Sequence, residues 1–266
     1  ARNRAAAARL IRRVKATAYA VVEQLRRGEF SISGTETEFG IGKRYPELIL
    51  ELPGGGRYIL SGRIDRIDSY TSDSGERFVR VIDYKSKSGS AFDCADIADG
   101  KRLQLPLYIA AIEAAGAAER AAGMYYLPVS EGIINSSGKE DDFGARILKE
   151  FRLRGACLND AKLIELGGGE DVQPTARSGW RLSEEQLKGT VSFAVDKARQ
   201  TACKIAKGHA EAYPLMSKEN KTECEWCDYN SVCGFDATLP CCKYRRASII
   251  KKDDFLEEVS HAQLDR

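Results

Sequence analysis

Residues 78–89 read FVRVIDYKSKSG. The Val and Ile content suits a buried strand, yet the run ends by setting Asp83 and Lys85 two residues apart where the apolar pattern breaks. Side chains alternate along a strand, so Asp83 and Lys85 share a face with Val79 and Val81, while Ile82 and Tyr84 take the other. A strand end turning polar as it meets solvent accounts for a lone Asp-x-Lys. Its neighbours in the chain point to more.

Upstream, LSGRIDRID at 60–68 places Asp65 and Asp68 in a strand context beside Ile64 and Ile67. If that strand pairs with 77–85 as a hairpin, Asp65 comes beside Asp83, and two like charges there are unfavourable unless a cation lies between them. Magnesium takes a few carboxylates together with waters and phosphate oxygens. Asp65 and Asp83 offer two, and Glu36 or Glu38 of TETEFG (35–40) offers a third. Lys85 then stands where an ammonium can hold a metal-bound water or neutralise charge on a phosphoryl transition state. Downstream, QLPLY (104–108) sets Gln104 and Tyr108 four residues apart on one helix face, and both can hydrogen-bond a phosphate.

The 266 residues carry 43% hydrophobic content and a net charge of +2, enough apolar material for a sizeable core and too little charge to announce a nucleic-acid partner. Both ends are locally basic, ARNRAAAARLIRRVK and KYRRASIIKK, which by themselves read as solvated helix faces. No stretch approaches the roughly 18 apolar residues of a membrane span, and no signal peptide opens the chain, so a cytoplasmic protein without membrane contact is expected. A Walker-type phosphate loop is absent, so no ATP hydrolysis by this chain is expected.

Periodicity predicts a helix from about Arg4 to Arg27, a meander of antiparallel strands from Ser31 to Lys85, a helix over 103–115 and a strand in AAGMYYLPV. Residues 131–182, with NSSGKEDD and LGGGED, read as a loop-rich excursion. A capping box, Ser183 with Gln186, opens a long helix that closes at Gly208. The expected divisions are 1–29, a leading helix; 30–130, the core; 131–182, the excursion; 183–240, helix and cysteine segment; and 241–266, a basic tail.

Taken in order, ETEFG, GRIDRID, VIDYKS and LQLPLY resemble the PD-(D/E)XK nucleases of the RecB-like family, and more narrowly the AddB-type C-terminal nuclease domains of bacterial helicase-nucleases. The resemblance runs from about Phe30 to Asp236 and includes FRLRGACLNDAKLIEL and IAKGHAEAYPL. It implies an α/β fold with a central mixed sheet of about five strands flanked by helices, and a C-terminal helical and Cys-rich segment packed against it. It implies that Asp65, Asp83 and the carbonyl of Tyr84 bind Mg2+ or Mn2+, with Lys85 at the water and Gln104 and Tyr108 orienting the substrate backbone. Glu36 stands three residues before Phe39, as the family's E-x-x-F asks, and Glu38 is the adjacent alternative. Arg66 and Asp68 are supporting residues, Asp68 expected as a surface acid.

Three of the eight cysteines fall in CEWCDYNSVC, at 224, 227 and 233, a spacing that suits zinc or iron-sulfur thiolate ligation with one ligand short. In the resembled domains this triplet joins an upstream cysteine around a [4Fe-4S] cluster. Here the first cysteine is Cys94, and neither His209 nor His261 matches the family's helical histidine, which implies the C-terminal piece of a longer protein. Cys241 and Cys242 are spare thiols, and Cys94, Cys157 and Cys203 read as ordinary buried ones. The function implied is a metal-dependent DNA exonuclease domain acting with an AddA-like subunit in double-strand break repair. The alternatives are a silent single-stranded-DNA-binding scaffold and a CRISPR-associated exonuclease.

Overall fold

The computed structural model describes residues 2–86, 92–116, 119–129, 143–175, 177 and 180–264. The chain opens with helix α1 (Arg2–Arg26), which contributes Ala20 and Gln24 to the interior. Strand β1 (Ser31–Phe39) follows, then a hairpin of β2 (Leu48–Glu51) and β3 (Arg57–Leu60). Gly54 and Gly55 supply the positive φ of its turn, at 90° and 84°. Strand β4 (Gly62–Thr71) and strand β5 (Arg77–Lys85) meet at a turn carrying Gly75, also at positive φ.

A short helix α2 (Cys94–Ala98), capped by Asp93, leads into α3 (Gln104–Glu113) and strand β6 (Glu119–Pro128). Beyond lie α4 (Phe143–Glu150), β7 (Arg154–Leu158), α5 (Ala161–Leu166), α6 (Gly169–Val172) and β8 (Trp180–Leu182). The long helix α7 (Glu184–Ala206) begins at the predicted box, with Ser183 and Gln186 capping each other, and Gly208 closes it at φ 74°. The C-terminal part comprises β9 (Leu215–Met216), a single 3-10 turn at Glu223–Trp226, α8 (Asn230–Cys233), β10 (Arg245–Arg246) and α9 (Lys252–Leu264).

Among the described residues, six strands form one mixed sheet in the order β1-β4-β5-β6-β7-β8. Pairing is antiparallel from β1 through β5, parallel between β5 and β6, antiparallel between β6 and β7, and parallel again to β8. The expected meander is present as β1, β4 and β5, with β2–β3 leaving it as a separate two-stranded sheet. The last two strands come from the polar, Gly-rich region: residues 154–158 and 180–182 extend the sheet instead of looping away. Short apolar runs such as Ala156–Leu158 are buried on both sides, so they lack the alternation that marks a half-exposed strand. NSSGKEDD (135–142) lies outside the described residues.

Helices cover both faces. On one, Val79 and Val81 join Leu105, Ile109 and Ile112 of α3, Leu187 and Val191 of α7, and Phe255 and Val259 of α9. On the other, Ile82, Tyr125 and Leu127 meet Ala20 of α1 and Ile147, Leu148 and Phe151 at α4. The C-terminal part is tied back at Asp99, which accepts hydrogen bonds from Ser248 Oγ at 2.7 Å and Ser248 N at 3.0 Å.

One expectation is overturned. Asp68 is not a surface acid but fully buried, held by Arg66 Nε at 2.7 Å and Arg80 Nε at 2.9 Å. Alternation does carry it to the face opposite Asp65, but α5 covers that face: Arg80 Nη1 donates to Gly167 O at its C-terminal end.

Candidate active site

The hydrogen-bonded ladder between β4 and β5 stops at Arg66↔Ile82, although β4 begins four residues earlier and β5 runs on to Lys85. The two strands splay here, each keeping its outer neighbour, β1 or β6. Continuing the register across the splay sets Asp65 opposite Asp83. The β1–β4 register, with Thr35↔Arg66 and Thr37↔Ile64, sets Glu36 opposite Asp65. Three acids on three adjacent strands therefore stand in one row, and Glu38 falls opposite Arg63, two residues off it.

The splay changes the hydrogen bonding. The amide of Tyr84 donates to Asp65 Oδ2 at 2.9 Å, holding that carboxylate in the notch. Asp83 is only 2% exposed, and its buried Oδ2 is ion-paired to Lys85 Nζ at 2.5 Å. Burial pushes the Asp83 pKa up, Lys85 opposes the rise, and Asp65 adds to it. Glu36 is turned outward to Arg63 Nε at 2.8 Å, from a backbone at φ 47°. A left-handed residue inside a strand is strained, and such strain gathers at functional sites.

From Lys85 a chain of contacts runs to α3. Lys85 Nζ donates to Gln104 Oε1 at 3.0 Å, and Gln104 Nε2 donates to the Tyr108 hydroxyl at 2.5 Å. Tyr108 is buried edge-on to Phe39, and burial raises its pKa, with Asp83, Asp65 and Glu36 adding to the rise. The structure thus brings Asp65, Asp83, Lys85, Gln104 and Tyr108 together, with Glu36 at the rim.

Two neighbours carry no signal in the sequence that would assign them to the site. The Tyr126 ring lies 5.4 Å from Lys85 Nζ, because the parallel pairing of β5 with β6 sets Tyr126 beside Asp83. Nothing local marks it, since MYYLPV reads as any buried strand. Arg63 is visible in GRIDRID, but its pairing with Glu36 depends on register.

The donor set suits a hard divalent cation: two adjacent carboxylates, Asp65 and the buried Asp83, beside a strand end whose carbonyls no longer pair with β4. As the side chains stand, no group of three or more His, Cys, Asp or Glu among the described residues is arranged to hold a metal ion, and Glu36 is engaged by Arg63.

A family model described as the PD-(D/E)XK nuclease superfamily matches residues 1–234. The chain belongs to the PD-(D/E)XK nuclease superfamily. Among curated relatives of this nuclease-family chain are the B subunits of the ATP-dependent helicase/deoxyribonucleases of Moorella thermoacetica, 34% identical over 87% of the chain, and Caldanaerobacter subterraneus subsp. tengcongensis, 30% identical over 92%. That of Acetivibrio thermocellus is 30% identical over 87%. The chain spans 22% of the length of each. These names favour neither the silent scaffold nor the CRISPR-associated alternative.

The cysteines present a different case. Cys224, Cys227 and Cys233 line one hollow of about 360 Å³ together with Phe235 and Tyr244. Neither Cys241 nor Cys242 lines it; their sulfurs lie 3.9 Å from each other. Cys94 and Cys157 are buried in the two cores, and Cys203 is half-buried on α7. Among the described residues three cysteines line this hollow and no fourth joins them, so they do not complete a [4Fe-4S] site. Among the described residues no helix is long and apolar enough to cross a membrane.

Proposed function

We propose that this chain is the nuclease domain of a cytoplasmic helicase-nuclease, hydrolysing DNA phosphodiester bonds as an exonuclease in double-strand break repair, alongside an AddA-like subunit. The carrying observation is the row Glu36, Asp65, Asp83 across the splayed strands with Lys85 at its end. Asp65, Asp83 and the Tyr84 carbonyl would hold Mg2+ or Mn2+, with Glu36 as the further acid. Such an ion, when bound, supplies a Lewis acid and a water of lowered pKa for in-line attack.

The protein's own groups do the rest. Lys85, ion-paired to the buried Asp83 and hydrogen-bonded to Gln104, keeps a positive charge where a phosphoryl group gains negative charge. Gln104 and Tyr108, one helical turn apart on α3, orient a phosphate against the notch. The Tyr126 ring flanks Lys85 Nζ at 5.4 Å, an arrangement that favours the ammonium.

Cleavage of end-labelled single-stranded DNA with magnesium or EDTA tests this reading. Magnesium-dependent products that fall by about 10²-fold or more in Lys85→Ala support it, the range expected for losing a group that stabilises developing negative charge. Products unchanged in Lys85→Ala or in Asp83→Ala would overturn the assignment.

A further inference from the structure

A cavity of about 300 Å³ lies at the end of the sheet opposite the acids. It opens where β6 begins, at Glu119, Arg120 and Ala121, whereas Lys85 stands beside Pro128 at the far end of the same strand. The length of β6, about 30 Å for its 10 residues, separates the two. Leu158 at the end of β7 and Leu187 on α7 give the cavity an apolar wall, and Glu113, the last residue of α3, lines it as well.

The other acids of this cavity are matched by partners. Glu184 is paired to Arg120 at 2.8 Å and to Lys188 at 2.9 Å, and Glu119 to Arg77 at 3.0 Å and the Tyr45 hydroxyl at 2.9 Å. Glu113 differs: among the described residues no ion pair or hydrogen bond engages its carboxylate. Three circumstances disfavour its charge. It is half-buried, it ends a helix, where the backbone dipole is negative, and the charge of Glu184 lies near it. Burial accordingly pushes its pKa up, Lys188 opposes the rise and Glu184 adds to it.

A bound cation would relieve all three. A divalent metal ion asks for several oxygen ligands and gains nothing from leucines, whereas an ammonium on an aliphatic stem answers both the unmatched carboxylate and the apolar wall. We propose that this cavity binds a small primary alkylamine, its ammonium on Glu113 and its stem against Leu158 and Leu187. None of these residues belongs to the notch, so such a site is independent of the nuclease reading.

Isothermal titration calorimetry of the whole chain with n-pentylamine at pH 8 and fixed ionic strength is the test. Glu113→Gln keeps the shape and removes the charge, and is expected to weaken binding about tenfold or more, the loss of a charge-assisted hydrogen bond. n-Pentanol, the same stem without the ammonium, is expected to bind the parent weaker than the amine by about the same factor. Shortening the stem to n-propylamine is expected to weaken binding about 15-fold, the effect of two methylenes no longer buried. A melting scan checks that Glu113→Gln is folded; without ligand it is expected to melt above the parent, and saturating n-pentylamine should close that gap by raising the parent alone. No binding to the parent, or equal affinity of the amine for the parent and the folded Glu113→Gln chain, would overturn the proposal. Tighter binding of Nα-acetyl-lysine methylamide than of n-pentylamine would also overturn it, by assigning the cavity to a lysine side chain of another protein.

Discussion

Asp65 and Asp68 are three residues apart on one strand and meet opposite fates. Asp65 faces the notch and accepts one backbone hydrogen bond, whereas Asp68 is sealed between Arg66 and Arg80. Removing one member of a buried charge cluster leaves the others uncompensated, so Asp68→Ala is expected to lower unfolding stability by about 3–5 kcal/mol in urea titration. Asp65→Ala, by contrast, should remove cleavage while leaving the denaturation midpoint close to that of the parent. Asp83 gives a pH-dependent prediction. Its raised pKa means that folding disfavours the ionised form, a penalty absent below the ordinary carboxylate range and fully present once pH exceeds the raised value. In EDTA, Asp83→Asn is therefore expected to melt higher than the parent at pH 7, and the gap should close as pH falls below about 4. A gap that persists at low pH would show that the carboxylate charge is not its cause.

At the scale of elements, the site depends on helices that press hard on the sheet. Helix α7 approaches α9 so closely at Gly189 that an added Cβ would lie 2.3 Å from the carbonyl oxygen of Val259. The α9 residues Phe255 and Val259 close the same core that seats α3, and with it Gln104 and Tyr108. Gly189→Ala must push the two helices apart and is expected to cost about 1–3 kcal/mol of stability, read from chemical denaturation. Helices α1, α3 and α7 were legible in the chain, whereas α4, α5 and α6 fall in the stretch expected as a loop-rich excursion and α9 in the one expected as a basic tail. The Ser183–Gln186 box and Gly208 are local signals that need no partner to be read. Strands β7 and β8 were not, because a strand of three to five residues buried on both faces carries no periodicity of its own.

Across the whole molecule, the eight thiols divide by position. Burial pushes Cys157 up to about 11 and also raises Cys94, whereas Cys227, Cys233 and Cys241 are exposed. Iodoacetamide at pH 8, followed by mass spectrometry, should modify the exposed three and spare Cys94 and Cys157 until denaturant is added. The chain alone determined that Asp83 and Lys85 close one strand on a single face, that Gln104 and Tyr108 share a helix face, and that three cysteines cluster, because each is a matter of short-range spacing. Only the tertiary structure decided which groups face one another. The row of Glu36, Asp65 and Asp83 depends on a register shift between Ile32 and Gly34 in β1 and on the early end of the β4–β5 ladder. The seat of Tyr126 beside Lys85 depends on the crossover through α3 that makes β6 parallel to β5. Register and crossover are set by contacts between residues distant in the chain, and a one-residue slip would send each acid to the opposite face of the sheet.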